Sequence, residues 1–282
     1  MSDLSAAEQS LRDGDPREAL RLLQEQVKAR PADAKLRVFL FQLMAVLGQW
    51  ERALNQLNVA ATLDPAALAM AQMYREAIRC EVLRARVFEG KTAPMVFGQP
   101  EEWLALLVEA LLQEGQGKWD EGAALRARAL DAAPAAGGTL DQKGFEWVAD
   151  ADSRLGPVIE GIINGRYYWI PFDRLTRLTL EAPSDLRDVV WMPAMFTFTN
   201  GGESVGLIPT RYAGSEASAD GLILLARRTE WSTPREGTYH GLGQRLLATD
   251  QGEFPLMDLR ELFLNETGEG GAAEAPEAAG GA

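Results

Sequence analysis

The stretch GDPREAL at residues 14–20 returns at residues 48–54 as GQWERAL, keeping the glycine, an alanine and a leucine around an Arg/Glu pair in swapped order. Pro31 and Pro65 stand at the same interval of 34 residues. Exposed turns drift freely, so the joint return of a turn glycine and a small helical residue marks a repeated packing unit. Between Gly48 and Pro65, Trp50, Ala53, Leu54, Leu57, Ala60 and Ala61 recur at spacings of three and four, one face of an amphipathic helix. Leu36, Phe39, Leu40, Leu43, Met44 and Leu47 form a second such face upstream, so two helices meet at Leu47-Gly48 as a hairpin.

A period of 34 residues built from helical hairpins is that of the tetratricopeptide repeat. Gly48 falls at the turn, Trp50 just after it, Ala53 and Ala60 at the two small positions of the second helix, and Pro65 at the exit. Gly14, Ala19, Leu23 and Pro31 take the equivalent places one repeat earlier, with Pro16 and Gln26 as departures. Gly117, Trp119, Gly122, Ala129 and Pro134 supply a further copy, so at least three hairpins are expected. The first, with only Leu4, Ala6, Ala7 and Leu11 as apolar or small positions, reads as a polar cap. The middle repeat is broken: 66–89 reads as one long helix with Leu68, Met73, Ile78, Val82 and Val87 as its core, and GKTAPMVFGQP (90–100) replaces its second helix. That loop either packs Met95, Val96 and Phe97 into the core or shapes a groove for a partner.

A chain of 282 residues, 46% hydrophobic and 24% charged, is long enough for two modest cores. Its net charge of −13 argues against nucleic acid and anionic membranes as partners. The N-terminal segment lacks the pattern of a secretory signal, and no apolar run approaches the roughly 20 residues of a membrane span, which predicts a cytoplasmic protein. With Cys80 and His240 as the single residues of their kinds, neither an internal disulfide nor a Cys- or His-rich metal site can form, and no cofactor is expected.

The periodicity changes after Pro134. AAGGTLDQKG (135–144) has the composition of a linker, and RYYWIPF, VVWMPAMFTFTN, SVGLIPTRY and GLILLARRTEW read as short strands rich in aromatic and β-branched residues. FEWVADADSRLGPVIEGIING is expected to start as a short helix and run into a strand near 157–163, closed by an Asn164-Gly165 turn. Further helices are expected near 184–189 and over 255–265, where Leu256, Leu259, Leu262 and Phe263 are spaced for a buried face. The fold class is therefore α+β: helical repeats over 1–138, a strand-rich mixed domain over 139–265, and an acidic Gly/Ala tail over 266–282 that carries too little apolar surface to order itself.

The repeats, APMVFGQPEEW at the broken one, and then EWVADADSRLGPVIEGIINGRYYWIPFDRL, DLRDVVWMPA and GLIPTRY together resemble the ImpE/TagJ family, accessory proteins of bacterial type VI secretion systems. The resemblance spans about residues 5–265 and is most specific in the second half. It implies an adaptor, not an enzyme, with the small subunit of the contractile sheath as partner and a link to the hexameric AAA+ unfoldase that disassembles contracted sheaths.

The residues themselves offer little chemistry. Asp141, Glu146, Asp150, Asp152 and Glu160 read as solvated or helix-capping carboxylates, because the DAD segment lacks the glycine and closing glutamate of a calcium loop. Asp173-Arg174 reads as a turn with a local ion pair, His240 as a surface or hydrogen-bonded residue with no GxSxG nucleophile to serve, and Cys80 as a small buried side chain. A hydrolase or nucleotide-dependent enzyme in the second half is the alternative to the adaptor. Repeat geometry places Lys35, Val38, Gln42, Ala45 and Val46, Gln72, Glu76 and Arg79, and Leu104, Leu107 and Leu111 along a partner groove on the first helices; the alternative for the three leucines is burial against the second half. Tyr167, Tyr168 and Trp169 alternate along a strand, so one of them faces solvent, as a partner contact, unless another element covers it.

Removing residues 266–282 is expected to leave the melting temperature and partner affinity unchanged, since the segment has no aromatic anchor and no regular apolar face. A large loss of binding on truncation would make the tail a ligand.

Overall fold

The computed structural model describes residues 3–265; the tail expected at 266–282 lies outside the described residues. Seven helices come first: α1 (Asp3–Arg12), α2 (Pro16–Ala29), α3 (Ala34–Val46), α4 (Trp50–Leu63), α5 (Leu68–Phe88), α6 (Glu102–Gly115) and α7 (Trp119–Ala132), with a two-residue strand, β1 (Met95–Val96), between α5 and α6. The Asp15 carboxylate accepts the backbone N–H groups of Arg17 and Glu18, with Pro16 in the first turn of α2, and Asp33 does the same for Lys35 and Leu36 at the start of α3. Gly48 ends α3 at φ +65°, a conformation open to glycine at little cost. The small positions of the repeat are small for a reason: Ala53 and Ala60 are fully buried, and a Cβ on Gly122 would stand 2.5 Å from Cγ of Glu114 on the facing helix.

The remaining chain is mostly strand: β2 (Gly138–Leu140), β3 (Lys143–Phe145), β4 (Val148–Asp150), β5 (Val158–Ile163), β6 (Arg166–Pro171), β7 (Leu175–Leu180), β8 (Trp191–Phe198), β9 (Glu203–Pro209), then a one-turn helix α8 (Gly221–Leu224), β10 (Thr229–Ser232), β11 (His240–Gly243), β12 (Leu246–Thr249), β13 (Gly252–Pro255) and β14 (Glu261–Leu264). Nine strands form one sheet in the order β1-β6-β5-β9-β8-β7-β14-β2-β3; β13-β12-β4 and β10-β11 form two smaller ones. Every pairing is antiparallel except that of β1, which lies parallel to β6 with Met95 opposite Tyr168 and Val96 opposite Trp169. Asn164 and Gly165, at φ +50° and +72°, close the β5–β6 hairpin as the dipeptide predicts.

The large sheet is buried on both faces where it meets the helices. Val158, Ile162, Tyr167, Trp169, Trp191 and Leu207 belong to one apolar cluster with Leu40, Phe41, Tyr74, Leu104, Leu107 and Leu111 of the helices. Their neighbours Ile159, Ile163, Tyr168, Ile170, Met192 and Ile208 belong to a second cluster with Phe97, Leu178, Phe196 and Leu262. Alternation along each strand therefore sends its successive residues into two different cores. The helical and strand-rich segments share the first of them.

Six expectations need correction. The segment from Phe145 begins as strand, not helix, and 255–265 is a 3₁₀ turn (Leu256–Asp258) followed by β14, so its leucines are buried by a turn and a strand. GLILLARRTEW starts with the α8 turn before β10, and the helix near 184–189 is a 3₁₀ turn, Leu186–Val189. Of the core positions read along α5, Ile78 and Val87 are buried but Leu68, Met73 and Val82 stand in solvent. In the 90–100 loop Phe97 is buried, stacked on Phe198 at 4.0 Å, whereas Met95 is exposed.

Because Ala53 has no exposed surface where α4 meets its neighbours, Ala53→Trp is expected to overpack the repeat and cost about 1 to 3 kcal/mol or more, read as a lower denaturant midpoint. An unchanged midpoint would refute the repeat register.

Candidate partner-binding surfaces

Where the helices meet the sheet, the interior is ionic. Glu160 sits on the helix-facing side of β5 between Val158 and Ile162 and has no solvent-accessible surface. Arg84 of α5 grips it with two bonds, Nε to Oε1 at 2.6 Å and Nη2 to Oε2 at 2.9 Å. Arg245, just before β12, reaches the same carboxylate and also Asp150 of β4. The Tyr167 hydroxyl donates to Glu160 and accepts the Trp169 indole N–H at 2.8 Å. Arg84 Nη2 further donates to the Arg211 carbonyl at 2.8 Å, and the Arg211 guanidinium donates to the carbonyls of Val46 (2.8 Å) and Leu224 (2.6 Å). One connected set of bonds thus ties α3, α5 and α8 to β4, β5 and β6.

Burial opposes ionisation of Glu160, yet the two guanidiniums and the tyrosine hold its pKa down at about 2. Asp152 is likewise buried, bonded to Arg154 and to the Gly241 N–H at 2.9 Å, and titrates below the usual range because those partners outweigh its desolvation. These three carboxylates are therefore neither solvated nor helix caps, contrary to the sequence reading; each is matched to an arginine from elsewhere in the chain or, for Asp152, to its near neighbour Arg154. Glu146 is exposed, and Asp141 accepts the N–H groups of Arg260 and Glu261. Arg174 contacts Asp173 only at 3.9 Å and pairs more closely with Glu101. Burial pushes the Cys80 thiol up to about 12, so it is not a reactive thiolate. His240 is half-buried on β11, its Nε2 enclosed without a hydrogen-bond partner among the described residues, and desolvation with Arg154 nearby pushes its pKa down to about 4.

The eleven-residue groove read from the repeats does not form as one surface. Ala45, Val46, Leu104, Leu107 and Leu111 lie in the shared core, so the three leucines are covered, and Tyr167, Tyr168 and Trp169 are all buried because both faces of β6 are packed. The positions that remain open fall in two places. Exposed Lys35 and half-buried Phe39, with Leu36 and Gln42 buried behind them, line a cleft of about 710 Å³ between α1, α3 and the Ser184–Leu186 turn, while Val38 lies half-buried on α3 outside that lining. Gln72 and Glu76 line a cleft of about 570 Å³ beside the β5–β6 turn, and Arg79 is exposed nearby, paired with Glu76 at 2.6 Å. A third opening, of about 440 Å³, was not anticipated: Leu130, Trp147 and Tyr239 expose apolar surface around it. Its residues come from three distant segments, and no spacing in the sequence announces them.

Among the described residues no set of His, Cys, Asp and Glu side chains is arranged to hold a metal ion, and no helix is long and apolar enough to cross a membrane. Comparison with known proteins places the two halves separately and then together. The family described as ImpE protein matches residues 142–263, and the tetratricopeptide repeat matches residues 10–76. The type VI secretion system accessory component TagJ of Pseudomonas aeruginosa is 51% identical over 263 residues, covering 93% of this chain and 92% of that protein. The crystal structure of protein VPA1032 from Vibrio parahaemolyticus superposes with a TM-score of 0.83 at 28% identity, covering 93% of this chain and 98% of the other.

Several buried or half-buried groups shape the acid limb of stability: Asp150, whose pKa burial raises to about 7 despite Arg245, favours the folded chain as pH drops below 7, whereas Glu160 and His240 act against it. Glu160 has a folded pKa below its ordinary value, so its contribution is complete above about pH 4.5 and is lost as pH falls towards 2. His240 in the unfolded chain takes up its proton near pH 6.5 but in the folded chain only near 4, so stability also falls as pH drops between those values. Melting curves should show His240→Gln removing that share of the slope between pH 6.5 and 4. Glu160→Gln, measured at pH 7, should cost about 3 to 5 kcal/mol by leaving Arg84 and Arg245 under-compensated.

Proposed function

The chain belongs to the ImpE/TagJ family of type VI secretion accessory proteins, and from that premise we propose that it is a non-enzymatic cytoplasmic adaptor. It binds a helix of the small subunit of the contractile sheath and links the sheath to its disassembly unfoldase. The observation that carries the reading is the α1–α3 cleft. Successive turns of α3 present Lys35, Leu36, Phe39 and Gln42 opposite Glu8, Leu11 and Arg12 of α1, with Leu186 at one end. Leu11 and Leu36 form a buried floor and the charged residues form the rim. An amphipathic helix seats its apolar stripe in such a cleft through anchors at i, i+3 or i+4, and i+7. Nothing favours the hydrolase alternative: the acidic groups it needs are committed to Arg84, Arg245 and Arg154 in the interior.

A peptide from the N-terminal region of the sheath's small subunit, titrated against the full chain, tests the cleft. Phe39→Asp should weaken binding by roughly 2 kcal/mol, about thirtyfold, and the surface change Lys35→Glu by a few-fold, while Val38→Asp leaves the affinity unchanged. If Phe39→Asp and Lys35→Glu, shown folded by their melting curves, bind as wild type does, the cleft is not the site.

A further inference from the structure

α5 is the first helix of the broken hairpin. α3 is covered by its own second helix, α4, and α6 by α7, but the chain after α5 departs as a loop and gives β1 to the sheet instead. A strip of α5 is consequently bare. Leu68, Gln72, Arg75, Arg79, Val82 and Arg86 follow one another at alternating steps of four and three, the spacing of a coiled-coil seam. Leu68 is 54% exposed and Val82 52%, among the most exposed large aliphatic side chains of the described residues. The strip runs about 27 Å at 1.5 Å per residue.

The strip is flanked on both sides. On one, Asn58 of α4 accepts a hydrogen bond from Arg75 at 2.8 Å. On the other, the β5–β6 turn approaches Glu76, and the cleft beside that turn adds the exposed Met73 and Val205. Its charge runs against that of the molecule. In a chain of net charge −13 the seam itself carries three arginines and no carboxylate. Arg79 has a partner in Glu76 on the flank, whereas Arg86 forms no ion pair among the described residues.

We propose that this face of α5 is a second docking site, separate from the α1–α3 cleft, and that it takes an acidic amphipathic helix from a partner protein. The incoming helix stands where the missing second helix of the hairpin would be, with aliphatic residues against Leu68 and Val82 and carboxylates against Arg75, Arg79 and Arg86. A second copy of this chain is a poorer occupant because it would bring arginines to arginines along the same seam.

The probe is a fluorescein-labelled helical peptide of about 20 residues, leucine at the seam positions and glutamate beside them, with a lysine-for-glutamate version as control. Fluorescence anisotropy with the full chain should show saturable binding of the acidic peptide, weakened by added salt, and none of the basic one. Arg79→Glu together with Arg86→Glu, both exposed and not expected to disturb folding, should reduce affinity about tenfold or more, and Val82→Asp comparably; Phe39→Asp should leave it unchanged, so that this site and the cleft fail or succeed separately. Equal binding of both peptides, or indifference to the arginine reversals, overturns the proposal. So does self-association of the wild-type chain in sedimentation that Val82→Asp abolishes, since the face would then belong to a second copy.

Discussion

One buried carboxylate, Glu160, fixes how the two halves of this molecule meet. Removing a carboxylate from water costs several kcal/mol unless its charge and its lone pairs are matched, and here the match is made by Arg84 from the helices and Arg245 from the strands. An apolar contact between α5 and β5 would tolerate sliding by a turn. This one does not, because a shift of α5 would strand two guanidiniums and a carboxylate in a dry interior. The surrounding bonds from Tyr167, Trp169 and Arg211 depend on the same alignment, and so does the packing of Trp191 against Tyr74 at 5.5 Å.

The helical half was legible because its constraints are local. Glycine at a turn, alanine where helices touch and proline at an exit repeat with the period of the packing unit, and all three leave their mark within a few residues. The strand-rich half was legible as strands but not as surfaces. The alternation of Tyr167, Tyr168 and Trp169 says that they face opposite ways; it does not say that both sides are covered, which depends on α5 and on the distant Phe97 and Phe198. The carboxylates were misread for the same reason. Glu160 lies 76 residues from Arg84 and 85 from Arg245, so no window of sequence shows it beside its partners. Leu256, Leu259 and Leu262 share a spacing of three that a helix, or a 3₁₀ turn leading into a strand, satisfies equally well.

Helix-pair solenoids ordinarily offer their concave side to ligands. In this chain part of that side holds β5, β6 and β8, and Ala45, Val46, Leu107 and Leu111 contribute to folding rather than to recognition. What stays available is peripheral: the gap beside α1 and α3 that the Ser184–Leu186 turn leaves open, and the outward face of α5. The two accept different chemistry. The first has an apolar floor with mixed charges at its edge, the second a basic seam on an acidic molecule.

The smallest strand of the sheet has the longest reach in evolutionary terms. A repeat protein ordinarily grows or shrinks by duplicating or deleting whole units, because each unit touches only its neighbours. β1 breaks that freedom. Its two residues are bonded to Tyr168 and Trp169, and the segment that carries them stands between the second and last hairpins, so an extra hairpin inserted on either side would pull β1 off β6 or push α6 away from the position where Gly90 and Gly115 make close backbone contact. The helical array around β1 therefore cannot take an inserted unit without giving up one of these two contacts.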